Sequence, residues 1–224
     1  MNKNQEKENV AKVVDAIQNY ATAYKALNTL QIGDKKAFPI PIGDQKTGCI
    51  GEFYSYLYLA SILEQGQQID FGKHSQNVWD LKVVKDRDET TEKEKGNFEE
   101  RTVYHWIQVK TVSAYAKFRT LSPIHLKREL IENRDNFGTR FSLYVLHLNE
   151  RLRPDGFWIF EKDTLYQIAR DKGINIEKDF SLKGIHCPNP DPDPDPDHQK
   201  PESKDFEWDK YDKTGELLKV LSRY

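Results

Sequence analysis

Apolar residues recur along the chain at two different periods, and the change from one to the other marks out the elements. From about Glu6 to Leu27, Val10, Val13, Val14, Ile17, Tyr20, Ala21, Tyr24 and Leu27 return at helical spacing. Lys3, Glu6, Lys7, Glu8 and Lys12 keep the entrance polar. This predicts an amphipathic helix whose single apolar stripe packs on the core or on a second subunit, as in a homodimer. Asn28 to Gly48 is punctuated by Gly33-Asp34, Pro39, Pro41 and Gly43-Asp44, a loop or extended arm. A second helix is expected from about Thr47 to Gln65. Phe53, Tyr54, Tyr56, Leu57, Tyr58, Leu59, Ala60, Ile62 and Leu63 make it apolar almost all round, so it belongs in the interior.

Beyond it the period shortens to two. Strands are expected at Gln67–Gly72, Val78–Lys85, Arg101–Ser113, Arg140–Leu148 and Gly156–Phe160. In the longest of these, Val103, His105, Ile107 and Val109 share one face, and Tyr104, Trp106, Gln108 and Lys110 share the other. Ser122 followed by Pro123 reads as the cap and first position of a helix to about Asn133. Asp163 reads as the cap of another helix, from about Thr164 to Asp171, ended by Gly173. A strand, a crossover helix and a further strand imply an α/β fold with a mixed central sheet flanked by helices.

At 224 residues, 37% of them hydrophobic and 31% charged, the chain can bury a sizeable core beneath a heavily charged surface. The net charge of −2 conceals an uneven distribution. Residues 110–140 hold seven Lys and Arg against three acids, whereas residues 187–212 hold three Lys against nine acids. The overall balance therefore neither demands nor excludes nucleic acid, and a local basic face is what would matter. Asp86 to Glu100 alternates in sign, as a solvated hairpin excursion would. Three consecutive Asp-Pro steps run from Asp191 to Pro196 inside a stretch, Pro188 to Pro201, that reads as a stiff acidic linker. Phe206, Trp208, Tyr211, Leu217, Leu218, Val220, Leu221 and Tyr224 follow it, too few to fold alone and suited to docking. The expected divisions are an N-terminal helix and arm (1–47), an α/β core (48–187), the linker (188–201) and a docking segment (202–224).

Cys49 and Cys187 are the only cysteines, without the spacing of a structural zinc site. With no signal-peptide pattern and no uncharged run of membrane-spanning length, the expectation is a cytoplasmic protein with free thiols.

The candidate chemistry lies on the long strand. Gln108 and Lys110 point the same way, and Asp80, in or at the edge of a neighbouring strand, is placed to meet them. Carboxylate and amide oxygens hold a hard divalent cation, and an ammonium beside it polarises a water or a phosphate. Glu52 is the one acid in the first three turns of the second helix. An isolated carboxylate there is costly unless paired or metal-bound, although a first-turn Glu also complements the helix dipole. Glu52 to Asp80 and Asp80 to Gln108 are each 28 residues.

A helical Glu, an Asp on a strand, a Gln108-Val109-Lys110 strand and then a helix resemble the PD-(D/E)xK nuclease superfamily over about residues 48–162. The match is to the variant in which Gln replaces the second acid, as in Mrr-like restriction enzymes. The long gap between Asp80 and Gln108 departs from a tight hairpin. What the resemblance implies is a restriction endonuclease-like core that hydrolyses DNA phosphodiesters with Mg2+, in restriction or phage defence. Asp80, Glu52, the Gln108 side chain and the Val109 carbonyl would bind the metal. Lys110 would orient the water and stabilise charge on the phosphate. Lys117, Arg119, Lys127 and Arg128 follow the Lys110 strand, where they would hold DNA phosphates or simply form a solvated helix face. Two other readings stand beside this one: a nuclease fold serving repair or mobile-element processing, and a non-enzymatic α/β binding module.

Overall fold

The longest strand, β3 (Arg101–Ser113), runs through the middle of a five-stranded sheet. On one side it pairs antiparallel with β2 (Leu81–Asp86), which pairs with β1 (Gln67–Phe71). On the other it pairs in parallel with β5 (Arg140–Leu148), from His105 opposite Arg140 to Ser113 opposite Leu148. An antiparallel partner, β6 (Pro154–Glu161), closes that edge. The sheet is therefore mixed, in the order β1-β2-β3-β5-β6. The computed structural model describes residues 3–31, 45–72, 79–86, 101–114, 124–126, 140–182 and 207–224.

Sheet parity sorts the core into two layers. Ile107 and Val109 of β3, with Tyr144, Leu146 and Leu148 of β5, face a helical layer. That layer is built from α1 (Lys3–Gln31), which contributes Ile17 and Ala21, and α2 (Gln45–Ser61), which contributes Ile50, Tyr54, Tyr58 and Leu59. Val10, Ile17 and Ala21 of the α1 stripe are buried against the core, while Val13 is exposed. The opposite residues, Val112 of β3 and Phe141, Leu143 and Val145 of β5, pack under α3 (Lys162–Asp171) through Leu165 and Ala169. The C-terminal residues join both layers: Trp208 packs with the α3 side, and Leu217 of α4 (Thr214–Leu221) packs with the helical side. The expected α/β architecture with a mixed sheet flanked by helices is what the chain adopts.

Two local expectations are overturned. Ile124–Leu126, expected inside a helix begun by Pro123, is a short strand, β4, paired antiparallel with β7 (Phe180–Leu182). Ile124 and Leu126 are buried while His125 between them is exposed, the period-two alternation of a strand. A proline opens a strand as readily as a helix, so Pro123 does not discriminate. Asp163 is likewise not a cap. Glu161 occupies that position with no capping side-chain hydrogen bond, and Asp163 lies in the first turn, where its charge complements the helix dipole. The remainder of the expected 123–133 helix, the 87–100 excursion and the Asp-Pro linker lie outside the described residues.

Helix α2 crosses β3 at very close range, and a glycine makes that possible. A Cβ on Gly51 would overlap Thr111 Oγ1 and stand 3.0 Å from Thr111 Cβ. Gly51→Ala is therefore expected to push α2 off the sheet and cost about 1–3 kcal/mol. Adding Thr111→Ala should recover only part of that, because the Cβ of residue 111 remains in the way. Urea denaturation midpoints of the single and double variants measure both effects.

Candidate active site

Strand β2 is shorter than the strand it pairs with, and the site forms where it stops. Leu81, its first residue, lies opposite Ile107. Asp80 precedes the strand, yet its backbone N–H still donates to the Ile107 carbonyl at 2.8 Å. One step further along β3, the Val109 N–H has no backbone acceptor from β2. The Asp80 carboxylate takes that place, accepting from Val109 N through Oδ2 at 2.6 Å. The Asp80 carbonyl accepts from Gly72 N at 2.7 Å. A Cβ on Gly72 would come within 2.7 Å of the Trp79 carbonyl, so the absence of a side chain there lets β1 close on this turn.

Gln108 and Lys110 leave β3 on the face opposite the helical layer. Gln108 is 6% exposed, and its Oε1 is buried without a hydrogen-bond donor among the described residues. Lys110 lies close enough to Asp80 to favour its ionised form. Glu52 approaches from the helical face, next to the Gly51 contact with β3, and reaches the electrostatic range of Asp80. The structure thus brings Glu52, Asp80, Val109 and Lys110 to one place at the end of β2, with Gln108 on the same face as Lys110. It does not speak to Lys117, Arg119, Lys127 and Arg128, which lie outside the described residues.

Both carboxyls are held in unfavourable surroundings. Burial pushes Glu52 up from 4.5 to about 7, and the neighbouring Asp80 charge pushes the same way. Asp80 is also raised by burial, against the opposing pull of the Val109 N–H and Lys110. Two desolvated carboxyls that repel each other are hard oxygen donors. Gln108, the residue before Val109, carries a further buried amide oxygen without a hydrogen-bond donor among the described residues. No three His, Cys, Asp or Glu residues cluster as a metal site among the described residues. Two carboxylates nonetheless suit Mg2+, which keeps several waters and is bound through one or two carboxylates plus substrate phosphate. The residues present fit that ion.

Three side-chain groupings escape a reading of the sequence. Trp79 and Trp106 meet beside Asp80, their ring centroids 5.0 Å apart, with Lys82 Nζ over both rings. His105 Nε2, 2.7 Å from Ser142 Oγ, begins a chain that continues to Glu161 at 3.0 Å and Arg140 at 2.7 Å. His147 Nδ1 pairs with Asp155 at 2.5 Å in the interior. Each joins residues that are not sequence neighbours, which only the strand register brings together.

No protein-family profile matches this chain, and no curated protein sequence matches it. Among solved structures, a bacterial homing endonuclease, I-Ssp6803I, aligns over 81% of this chain and 97% of that one. The identity is 14% and the TM-score 0.31.

The raised Glu52 carboxyl makes a signed pH prediction. Because its folded value exceeds 4.5, the folded state holds the proton more tightly than the unfolded chain does. The resulting stability is fully present below pH 4.5 and is lost as pH rises through about 7. Glu52→Gln should remove this loss. In chelator, the variant should gain on the parent between pH 4.5 and 8, by about 1 kcal/mol once solvent screening of a half-buried carboxyl is allowed for. Thermal melts across that range test it; a constant difference between the two proteins would contradict the assignment.

Proposed function

We propose that this protein is a Mg2+-dependent endodeoxyribonuclease that hydrolyses DNA phosphodiester bonds. The supporting observation is the Asp80 carboxylate bonded to Val109 N at the end of β2, within electrostatic reach of Glu52 and Lys110. The reading also rests on the resemblance of Asp80 and Gln108-Val109-Lys110 to the Gln variant of PD-(D/E)xK nucleases. Similarity to Mrr-like enzymes supports a place in restriction or phage defence.

In this reading Asp80, Glu52, the Gln108 side-chain oxygen and the Val109 carbonyl hold the cation. When bound, Mg2+ polarises the phosphate and acidifies water. The Val109 N–H fixes the Asp80 carboxylate, so that ligand is oriented before any substrate arrives. Lys110 directs its ammonium toward the reacting phosphate, orients the attacking water and offsets charge that develops on the phosphoryl oxygens. Gln108 supplies an oxygen without a charge, which leaves the site less negative beside an anionic substrate. Lys117, Arg119, Lys127 and Arg128 hold phosphates of the DNA as it leaves the site.

The test is incubation of the purified protein with linear and supercoiled DNA, in Mg2+ and in chelator. Cleavage is expected only with Mg2+. Lys110→Ala and Asp80→Ala should each reduce it by about 100-fold or more. Parental cleavage by Lys110→Ala would exclude the role given to that residue. Binding is a separate measurement. Replacing Lys117, Arg119, Lys127 and Arg128 by Ala should flatten the log–log salt dependence of duplex binding by about 0.9 for each phosphate these side chains neutralise. A four-fold variant with the parental slope would place the DNA path elsewhere.

A further inference from the structure

Trp79 and Trp106 lie beside the proposed centre, and the proposed chemistry gives them no role. Trp106 is two residues before Gln108 on the same face of β3, and Trp79 immediately precedes Asp80. Both are half-buried. The other two tryptophans, Trp158 and Trp208, are buried against each other in the core. The Trp79 and Trp106 rings meet at 5.0 Å with a 59° tilt. Lys82, opposite Trp106 in the β2–β3 register, carries its ammonium 5.2 Å from the Trp79 ring and 5.8 Å from the Trp106 ring. Its carboxylate partner, Asp70, is 3.6 Å away, too long for a good hydrogen bond.

Trp106 packs in part against the core beneath α3. The part of the two indoles left exposed, with a cation over it, is a surface for a flat π-system that carries negative charge nearby. Two residues of strand advance about 7 Å, a separation that one nucleotide spans between its phosphate and its base. A base inside a duplex offers only its edges, because its faces are already stacked. An unpaired base offers a whole face, and stacking on an aromatic side chain tolerates any sequence.

We propose that Trp79 and Trp106 form a stacking platform for an unpaired base next to the reacting phosphate. The substrate is then DNA with an unpaired nucleotide at the cleavage position, with Lys82 turning from Asp70 to an adjacent phosphate. This rests on the nuclease reading of Asp80 and Lys110 and narrows its substrate. Base stacking and phosphate binding are carried by different residues, so they fail separately.

Intrinsic fluorescence reads the platform directly, since Trp158 and Trp208 are shielded in the core. The full chain is titrated in chelator with an oligothymidylate, with a chain of the same length whose nucleotides are abasic, and with a blunt duplex. The expected result is quenching by oligothymidylate and little by the abasic chain or the duplex. Trp106→Leu and Trp79→Leu should each weaken oligothymidylate binding by about tenfold while leaving the abasic chain unaffected. With Mg2+, an end-labelled duplex containing one unpaired nucleotide should be cut beside it faster than the fully paired duplex. Equal quenching by base-bearing and abasic chains overturns the platform, as does equal cleavage of the two duplexes. In either case Mg2+-dependent cleavage that persists keeps the nuclease reading. No cleavage of any DNA removes that reading, whatever the fluorescence shows.

Discussion

A single hydrogen bond, from the Val109 N–H to the Asp80 carboxylate, joins the sheet to the site. Strand β3 outruns β2, and the backbone donor left at the end of the ladder needs an acceptor in a region with little water. Supplying it from a side chain anchors an acid beside the strand that carries Gln108 and Lys110. The cost is a carboxyl whose ionised form is disfavoured by burial. Removing this side chain would therefore take away both a candidate ligand and the partner of a backbone group, an omission worth about 1–3 kcal/mol for a buried donor. Structure and chemistry are not separable at Asp80.

Layering explains why the rest of the site meets there. β3 is paired on both edges and covered on both faces, so its register is held by Ile107 and Val109 on one side and by Val112 on the other. Helix α2 can lie directly on it because Gly51 has no side chain to hold it away. The next residue, Glu52, then comes within electrostatic reach of Asp80. Gln108 and Lys110 project from the far face, so the acids and the polar side chains approach the end of β2 from both sides of the sheet. The sheet edge is the one place where groups from opposite faces can meet.

The sequence was informative wherever period alone decides. Arg101–Ser113 and Arg140–Leu148 were legible to the residue, because long alternating runs admit one reading. The face shared by Gln108 and Lys110 was legible for the same reason. The segment at Ile124–Leu126 was not, since three residues carry too little periodicity to outweigh a Ser-Pro start. Its partner, Phe180–Leu182, lies more than fifty residues away. Glu52 could be singled out as a lone acid in an apolar helix, but its approach to Asp80 depends on the Gly51 contact, which no spacing encodes. The pairing of Trp79 with Trp106 was also hidden. The ring that meets Trp106 comes from the residue before Asp80, on another segment of the chain.

The electrostatics of the site set a direction for its behaviour. Glu52 and Asp80 are raised by burial, and Glu52 is raised further by its neighbour, so the protein alone disfavours charge on both. A divalent cation reverses each of these penalties at once: it replaces lost hydration, pairs with both charges and screens one from the other. In the proposed reading, binding would release whatever proton Glu52 holds and would stabilise the fold to a degree set by ion concentration and affinity. Because Gln108 contributes an oxygen but no charge, that gain comes from two anions rather than three. In the proposed reading the charge of Mg2+ would be balanced by the two carboxylates, and Lys110 would supply the positive charge that draws a phosphate to the site.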